Sequence, residues 1–295
     1  MNSKFLNIGL ALPAATIVGL AMASPSMATT SYSIKPLGNT VDDADSINNS
    51  GQVIPKGKTI NNQGQRVEGR TLFNKDGTKV DLGNLPDGYF GDTTTTAHAI
   101  NNLSQVVGVS GGSAFLWTKE KGIQGIGSTF SFGKDINDKG QVALSEGSPS
   151  RGYEAILYDI NTGKRTTLAN LNNGYVNHAL GLNSKGEVVG NSYTDFSVAT
   201  LYKNGKVQNL NEAIAPNSGW KLEFATDIND KGQIIGRGTF NGQENQGFLL
   251  TPINHQDAAT VPEPTSGTGA LIFGAIGVVW MFKKQERRKK IEDRK

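Results

Sequence analysis

The heptapeptide DINDKGQ stands at 135–141 and recurs letter for letter at 227–233, 92 residues downstream. Two readings of it compete: an acidic cation loop written twice, or a turn that the architecture needs repeatedly. In the first copy Asp135, Asn137, Gly140 and Glu146 fall at positions 1, 3, 6 and 12 of a calcium-loop template, which would offer oxygens to a hard cation. Position 5 is Lys139, an ammonium where an oxygen is required, and the second copy carries Gly238 at position 12. Asp135, Asn137 and Glu146 are therefore a candidate cation site in the first copy alone, and no cofactor or metal is expected elsewhere.

Aligning outward on Ile-Asn gives five copies: ADSINNSGQVIP from Ala44, AHAINNLSQVVG from Ala97, GKDINDKGQVAL from Gly133, ALGLNSKGEVVG from Ala179 and ATDINDKGQIIG from Ala225. Their anchors are Asn48, Asn101, Asn137, Asn183 and Asn229, separated by 53, 36, 46 and 46 residues. What recurs is the Asn, usually Gly three residues later, Gln or Glu at the fourth, and then an apolar pair. Asn side chains bond nearby backbone, Gly accepts positive φ, and the apolar pair begins a return strand, so the pattern reads as a strand–turn–strand. Ser104 replaces the Gly in the second copy, where a more strained turn is expected.

Between these anchors lie RTLF ending at Phe73, AFLW at Trp117, AILY at Tyr158, ATLY at Tyr202 and GFLL at Leu250, most followed by a further apolar segment. Each unit supplies about four short strands with turn residues between them. A period near 45 with four strands per unit predicts an all-β fold, a β-propeller of about five four-stranded blades, with six as the fallback. The fifth unit lacks its last strand, and YSIKPLGN from Tyr32 matches the missing segment. The N-terminal strand is thus expected to close the ring and hide two sheet edges.

These repeats resemble the HAF-repeat family of bacterial extracellular proteins across about 31–252, with the family's His-Ala-Phe element surviving only as SAFLW at 113–117. The resemblance implies the repeat architecture and carries no catalytic residues.

The two ends have their own grammar. Residues 1–28 combine Lys4, an apolar stretch and small residues near Ala28, which is the pattern of a signal peptide. At the other end a linker (253–266) contains Pro262, Glu263 and Pro264, followed by an uncharged run (267–282) and a basic tail (283–295). The run is long enough for a short transmembrane helix, and the basic cluster would hold the tail in the cytoplasm. VPEPTS, apolar helix and basic tail in that order resemble the PEP-CTERM sorting signal. The resemblance implies export, an exosortase-type processing enzyme as partner, membrane tethering of the precursor, and a place at the surface or in the matrix of a polysaccharide-producing Gram-negative bacterium.

Positions 29–266 hold 20 Lys and Arg against 23 Asp and Glu, a net of −3, so the chain's overall +3 comes from its ends. The body has no basic excess for nucleic acid. With no Cys there is neither a disulfide nor a thiol nucleophile, and His98, His178 and His255 occupy unrelated repeat positions, which argues against a metal trio. The expected function is a non-enzymatic binding or structural scaffold linked to exopolysaccharide or biofilm. The alternative is a propeller hydrolase or lyase acting on that polysaccharide, for which Asp135 and Asp227, equivalent positions in two units, would be candidate carboxylates.

Overall fold

In Thr95–Ile100 buried and half-buried residues alternate, which is the signature of a strand packed on one face more tightly than the other. The same strand begins every unit. The computed structural model describes residues 30–38, 44–55, 60–86, 91–148, 150, 152–171 and 176–253. The segment expected to be a signal peptide (1–28), Pro262, Glu263 and Pro264, the uncharged run (267–282) and the basic tail (283–295) lie outside the described residues.

The strands run in chain order. β1 is Tyr32–Gly38, β2 Ala44–Ile47 and β3 Val53–Pro55. β4 (Arg66–Glu68), β5 (Thr71–Phe73) and β6 (Lys79–Asp81) form one sheet. β7 (Thr95–Ile100), β8 (Val106–Ser110), β9 (Ser113–Thr118) and β10 (Gly122–Thr129) form the next. A third contains β11 (Ser131–Ile136), β12 (Gln141–Ser148), β13 (Gly152–Asp159) and β14 (Arg165–Thr167). A fourth contains β15 (Val176–Leu182), β16 (Val188–Tyr193), β17 (Ser197–Lys203) and β18 (Lys206–Asn209). After a 3-10 turn at Leu210–Ala213 come β19 (Trp220–Ile228), β20 (Ile234–Phe240) and β21 (Gln243–Pro252).

The pairings are antiparallel, and the last sheet has the order β1-β21-β20-β19. Tyr32 pairs with Pro252 and Ile34 with Leu250, so the N-terminal strand completes the last sheet as expected. The first strands of successive sheets lie against one another, β7 beside β11, β11 beside β15, β15 beside β19 and β19 beside β2. The result is an all-β, propeller-like arrangement of meandering sheets.

Among the described residues five sheets have three or four strands, and β2 with β3 makes a sixth, two-stranded sheet. The segment read as one unit from Asn48 is therefore divided. A turn at Asn61, in INNQGQRVEG from Ile60, repeats the anchor pattern only 13 residues after Asn48, too close for a four-stranded unit.

The core lies between sheets rather than within one. Val67, Leu72 and Leu82 pack with Ile100, Val106, Phe115 and Trp117 from the following sheet. Val107, Leu116 and Ala99 pack in turn with Ile136, Val142 and Leu144. Val189, Ala199 and Leu201 meet Leu222, Ile234, Phe248 and Leu250 across the boundary between the β15–β18 sheet and the last sheet. Each fully buried aliphatic or aromatic side chain contributes about 1.5–3 kcal/mol through removal from water. Trp117 is buried, so its repeated bulky position is a core position.

Every four-residue-or-longer first strand facing its sheet neighbour bulges at the same place, between Ala44 and Ser46, Ala97 and Ala99, Gly133 and Asp135, Ala179 and Gly181, and Ala225 and Asp227. The register skips the residue between, His98 or Lys134 for example, and such bulges re-aim side chains. They also explain the Gly that ends QVVG. A Cβ on Gly190 would lie 1.8 Å from the His178 carbonyl oxygen, and one on Gly236 2.0 Å from that of Phe224. Where the second strand carries Leu144 instead, its partner across the ladder is Gly133 in place of the Ala of the other copies.

Candidate functional site

The turn end of the sheets is built around the anchor asparagines. In the third sheet Asn137 Oδ1 accepts the backbone N–H of Lys139 at 3.0 Å and of Gln141 at 3.0 Å. Its Nδ2 donates to Gln141 Oε1 at 2.9 Å and to the carbonyl of Asn183, the anchor of the next sheet, at 3.0 Å. All four hydrogen-bonding positions of the amide are filled, two within the turn, one to its return strand and one across to the neighbour. No other side chain of this size offers two acceptor and two donor directions, which is why Asn recurs while its neighbours vary.

The cross-sheet link repeats around the structure. Asn61 donates to the Asn101 carbonyl at 3.0 Å, Asn101 to Asn137 at 3.1 Å, Asn183 to Asn229 at 3.3 Å and Asn229 to Asn48 at 3.0 Å. The sixth anchor, Asn48, accepts that last bond and donates to Gln52. A second chain lies one residue further on. Asn62 N–H donates to Asn102 Oδ1, Asn102 N–H to Asp138, Ser184 N–H to Asp230, and Asp230 N–H to Asn49 Oδ1.

Two departures from the repeat are compensated. Ser104 holds φ of 59°, the left-handed geometry that favours Gly, and its hydroxyl donates to Gln65 Oε1 of the preceding turn at 2.7 Å. The strain expected there is thus met by an added inter-sheet bond. Glu187 replaces Gln, accepts from Asn183 at 2.7 Å and pairs with Lys203 Nζ at 2.7 Å. Burial opposes its charge, but Lys203 and the Asn183 amide outweigh this and hold its carboxyl below the usual range.

The Asp of DINDKGQ is a clamp between sheets. Asp135 accepts the N–H of Ile136 at 2.8 Å and, across the boundary, that of Leu182 at 2.9 Å. Asp227 accepts those of Ile228 at 2.7 Å and Ile47 at 2.7 Å. Gly181 lies between the two on the intervening strand, and a Cβ there would come within 2.7 Å of the Asp227 backbone. Burial pushes Asp135 up to about 6, against the two N–H bonds that favour its anion. Burial and the nearby Asp135 together push Asp227 well above the usual range.

The candidate cation ligands do not converge. Ser131 stands opposite Glu146 and Asp135 opposite Ala143, which puts Glu146 about 10 Å along the strands from Asp135. Glu146 accepts from Ser128 and pairs with Arg165, and the oxygen of Asn137 is occupied by the turn. The loop template is therefore corrected to a turn. Among the described residues no group of three His, Asp or Glu side chains could hold a metal ion.

The opposite end of the first strands carries different chemistry. Phe132 on β11 faces Tyr153 on β13, with ring centroids 5.8 Å apart, and Tyr153 faces His178 on β15 at 5.0 Å. Lys134 Nζ lies 5.3 Å from the Phe132 centroid. His98 Nδ1 is 2.8 Å from the Gly133 carbonyl and donates to it. Burial, and then the Lys134 charge, lower both imidazoles, His98 to about 4. Both are neutral at neutral pH. Further round, Lys221 lies over Phe196 at 4.2 Å, Arg237 over Phe224 at 4.5 Å, and Trp220 stacks on Phe240 at 4.7 Å.

Two site features escaped the sequence. Asn61 carries a legible signal, Ile-Asn-x-x-Gly-Gln, that lies outside the five-copy alignment. The Phe132–Tyr153–His178 row has no repeat signature, because it joins three strands of two sheets. His255 lies outside the described residues.

No protein-family model and no curated protein matches the chain. Among solved structures it is similar to TolB from Acinetobacter baumannii, at 12% identity and a TM-score of 0.34, over 76% of this chain and 63% of that one. It is also similar to Porphyromonas gingivalis dipeptidyl peptidase 4, at 12% identity and a TM-score of 0.33, over 63% of this chain and 35% of that one.

Proposed function

We propose that the chain is an exported, non-enzymatic β-propeller with five larger blades and one two-stranded blade, closed by its N-terminal strand and sorted through Pro262, Glu263 and Pro264. Tethered as a precursor and then released or retained at the surface, it serves as a binding scaffold for exopolysaccharide. The observation that carries the non-enzymatic reading is the fate of the carboxylates. Asp135 and Asp227, the equivalent pair that glycoside chemistry would recruit, have their oxygens committed to backbone N–H groups of consecutive sheets.

Intact-mass analysis of the mature protein from cells with and without an exosortase tests the sorting. A C-terminus trimmed near Pro264 only when the enzyme is present is the expected outcome; a chain ending at Lys295 in both removes it. The hydrolase or lyase reading rests on the raised carboxyls of Asp135 and Asp227, because perturbed groups gather at catalytic sites. New reducing or unsaturated ends from a polysaccharide incubated with the protein would favour it.

A further inference from the structure

Thr200 and Tyr202 of β17 bury two hydroxyls that make no hydrogen bond, and the geometry points to an internal hydration site between the β15–β18 and β11–β14 sheets, in which ordered water bridges them. The inference concerns the inside of the fold and stands apart from what the scaffold binds.

The repeat shows where the space comes from. In AFLW, AILY, ATLY and GFLL the second residue stands opposite the residue seven after the anchor: Phe115 pairs with Gly108, Ile156 with Leu144, Thr200 with Gly190 and Phe248 with Gly236. A Cβ on Gly108 would lie 2.8 Å from the Phe115 ring, and one on Gly236 2.5 Å from the Phe248 ring, so in those sheets a phenyl group covers the glycine. At Gly190 the three nearest atoms are all backbone, and the ring has given way to the much smaller Thr200. The facing wall is reduced as well. Ala143 on β12 takes the place that Val107, Val189 and Ile235 hold in the other sheets, and it packs with Ala155, Ala179 and Tyr202.

Small residues alone would mean only thin packing; the buried hydroxyls make the place polar. Thr200 is 0% and Tyr202 4% exposed. Two residues apart on one strand, they share the face that packs on Ala143 and Ala155. Burial raises the Tyr202 hydroxyl and Thr200 acts the other way, so the two groups are neighbours, yet they lack the geometry of a direct hydrogen bond. One row along the same face, opposite Ser192, Asn177 Oδ1 is also buried without a partner. Elsewhere a buried hydroxyl finds a protein group, as Thr95 finds Ser110 at 2.7 Å. A buried polar group left unpaired is costly, and a hydroxyl both donates and accepts, which water can answer in both senses. These are neutral groups, an amide oxygen and two hydroxyls, and they suit water better than an ion.

The test joins a crystal structure of the full chain, purified in mild detergent and at a resolution that shows ordered water, to thermal unfolding of two variants that delete one hydroxyl each at nearly constant shape. The structure should show a water within hydrogen-bond distance of both Thr200 Oγ1 and the Tyr202 hydroxyl. Thr200→Val and Tyr202→Phe should each lower the unfolding midpoint by about 2–4 °C, because each takes a partner from that water and leaves the other hydroxyl buried. The sign is what discriminates. Hydroxyls that no water answers are a burden on the fold, and deleting them would leave the midpoint unchanged or raise it. A midpoint at or above the parent's in either variant would overturn the site, as would a direct Thr200–Tyr202 hydrogen bond with no water between. If Thr200→Val does not fold, Tyr202→Phe and the parent crystal structure decide.

Discussion

The two ends of the first strands are made of the same repeat and behave as opposites. At the turn end nearly every polar group is committed. The anchor asparagines tie each turn to its own return strand and to the next turn, and where the pattern lapses, as at Ser104 or Glu187, another bond takes its place. At the far end the repeat stops dictating. The residues five before the anchors Asn101, Asn137, Asn183 and Asn229 are Thr96, Phe132, His178 and Phe224, three different chemistries at one structural position. A scaffold position is one where a change of residue must be compensated; a position left to vary is where a binding surface can be written.

The largest effect should come from breaking the turn end at its centre. Asn137→Ala removes four hydrogen bonds, one of them buried between sheets. At roughly 1 kcal/mol net each, the loss is about 3–4 kcal/mol, and the unfolding midpoint should fall by about 10 °C. Asn137→Asp sharpens the point, because it preserves both acceptor bonds within the turn but sets a carboxylate against the Asn183 carbonyl. If the link between turns is what matters, calorimetry will find the Asp variant about as unstable as the Ala variant; an Asp variant close to the parent would mean that the local turn alone explains the repeat.

A second effect follows from the Asp clamps. Asp135 rises from the model-peptide 3.8 to about 6 on folding. Because the folded-state value is the higher, folding takes up a proton, and the associated stability is complete below pH ~4 and lost as pH rises through about 6. A shift of this size corresponds to about 3 kcal/mol, with Asp227 extending the decline to higher pH. Urea midpoints should therefore fall between pH 4 and 7. Asp135→Asn removes the charge that helps to raise Asp227, so the same titration should become shallower. A slope identical to the parent's would show that the Asp135 carboxyl is not raised on folding.

Much of this was legible in advance, and the division between what was and was not follows the same two ends. Ile-Asn-x-x-Gly-Gln, the apolar return strand and the orphaned segment at Tyr32 are local or nearly local signals, and they predict the strand order and the closure by β1. The turn at Asn61 carries the same local signal but stands outside the five-copy alignment. The meaning of Asp135 was not legible, because its partner is the Leu182 N–H, 47 positions away in sequence and on another sheet. In one dimension an Asp that clamps two strands and one that binds calcium look alike. Phe132, Tyr153 and His178 gave no signal at all, since their meeting depends on the bulges and on the packing of β13 against β15.

The smallest effect is the one that tests whether the far end is dispensable to the fold. Phe196 is 50% exposed, and Lys221 lies over its ring at 4.2 Å. An exposed cation–π contact contributes about 0.5–1 kcal/mol at most, and removing the ring leaves no buried group unsatisfied. Phe196→Ala should therefore shift the thermal midpoint by no more than about 2–4 °C, well short of Asn137→Ala. A loss comparable to the turn variants would mean that both ends hold the sheets together, and the aromatic residues of the far end would then have to be counted as structure.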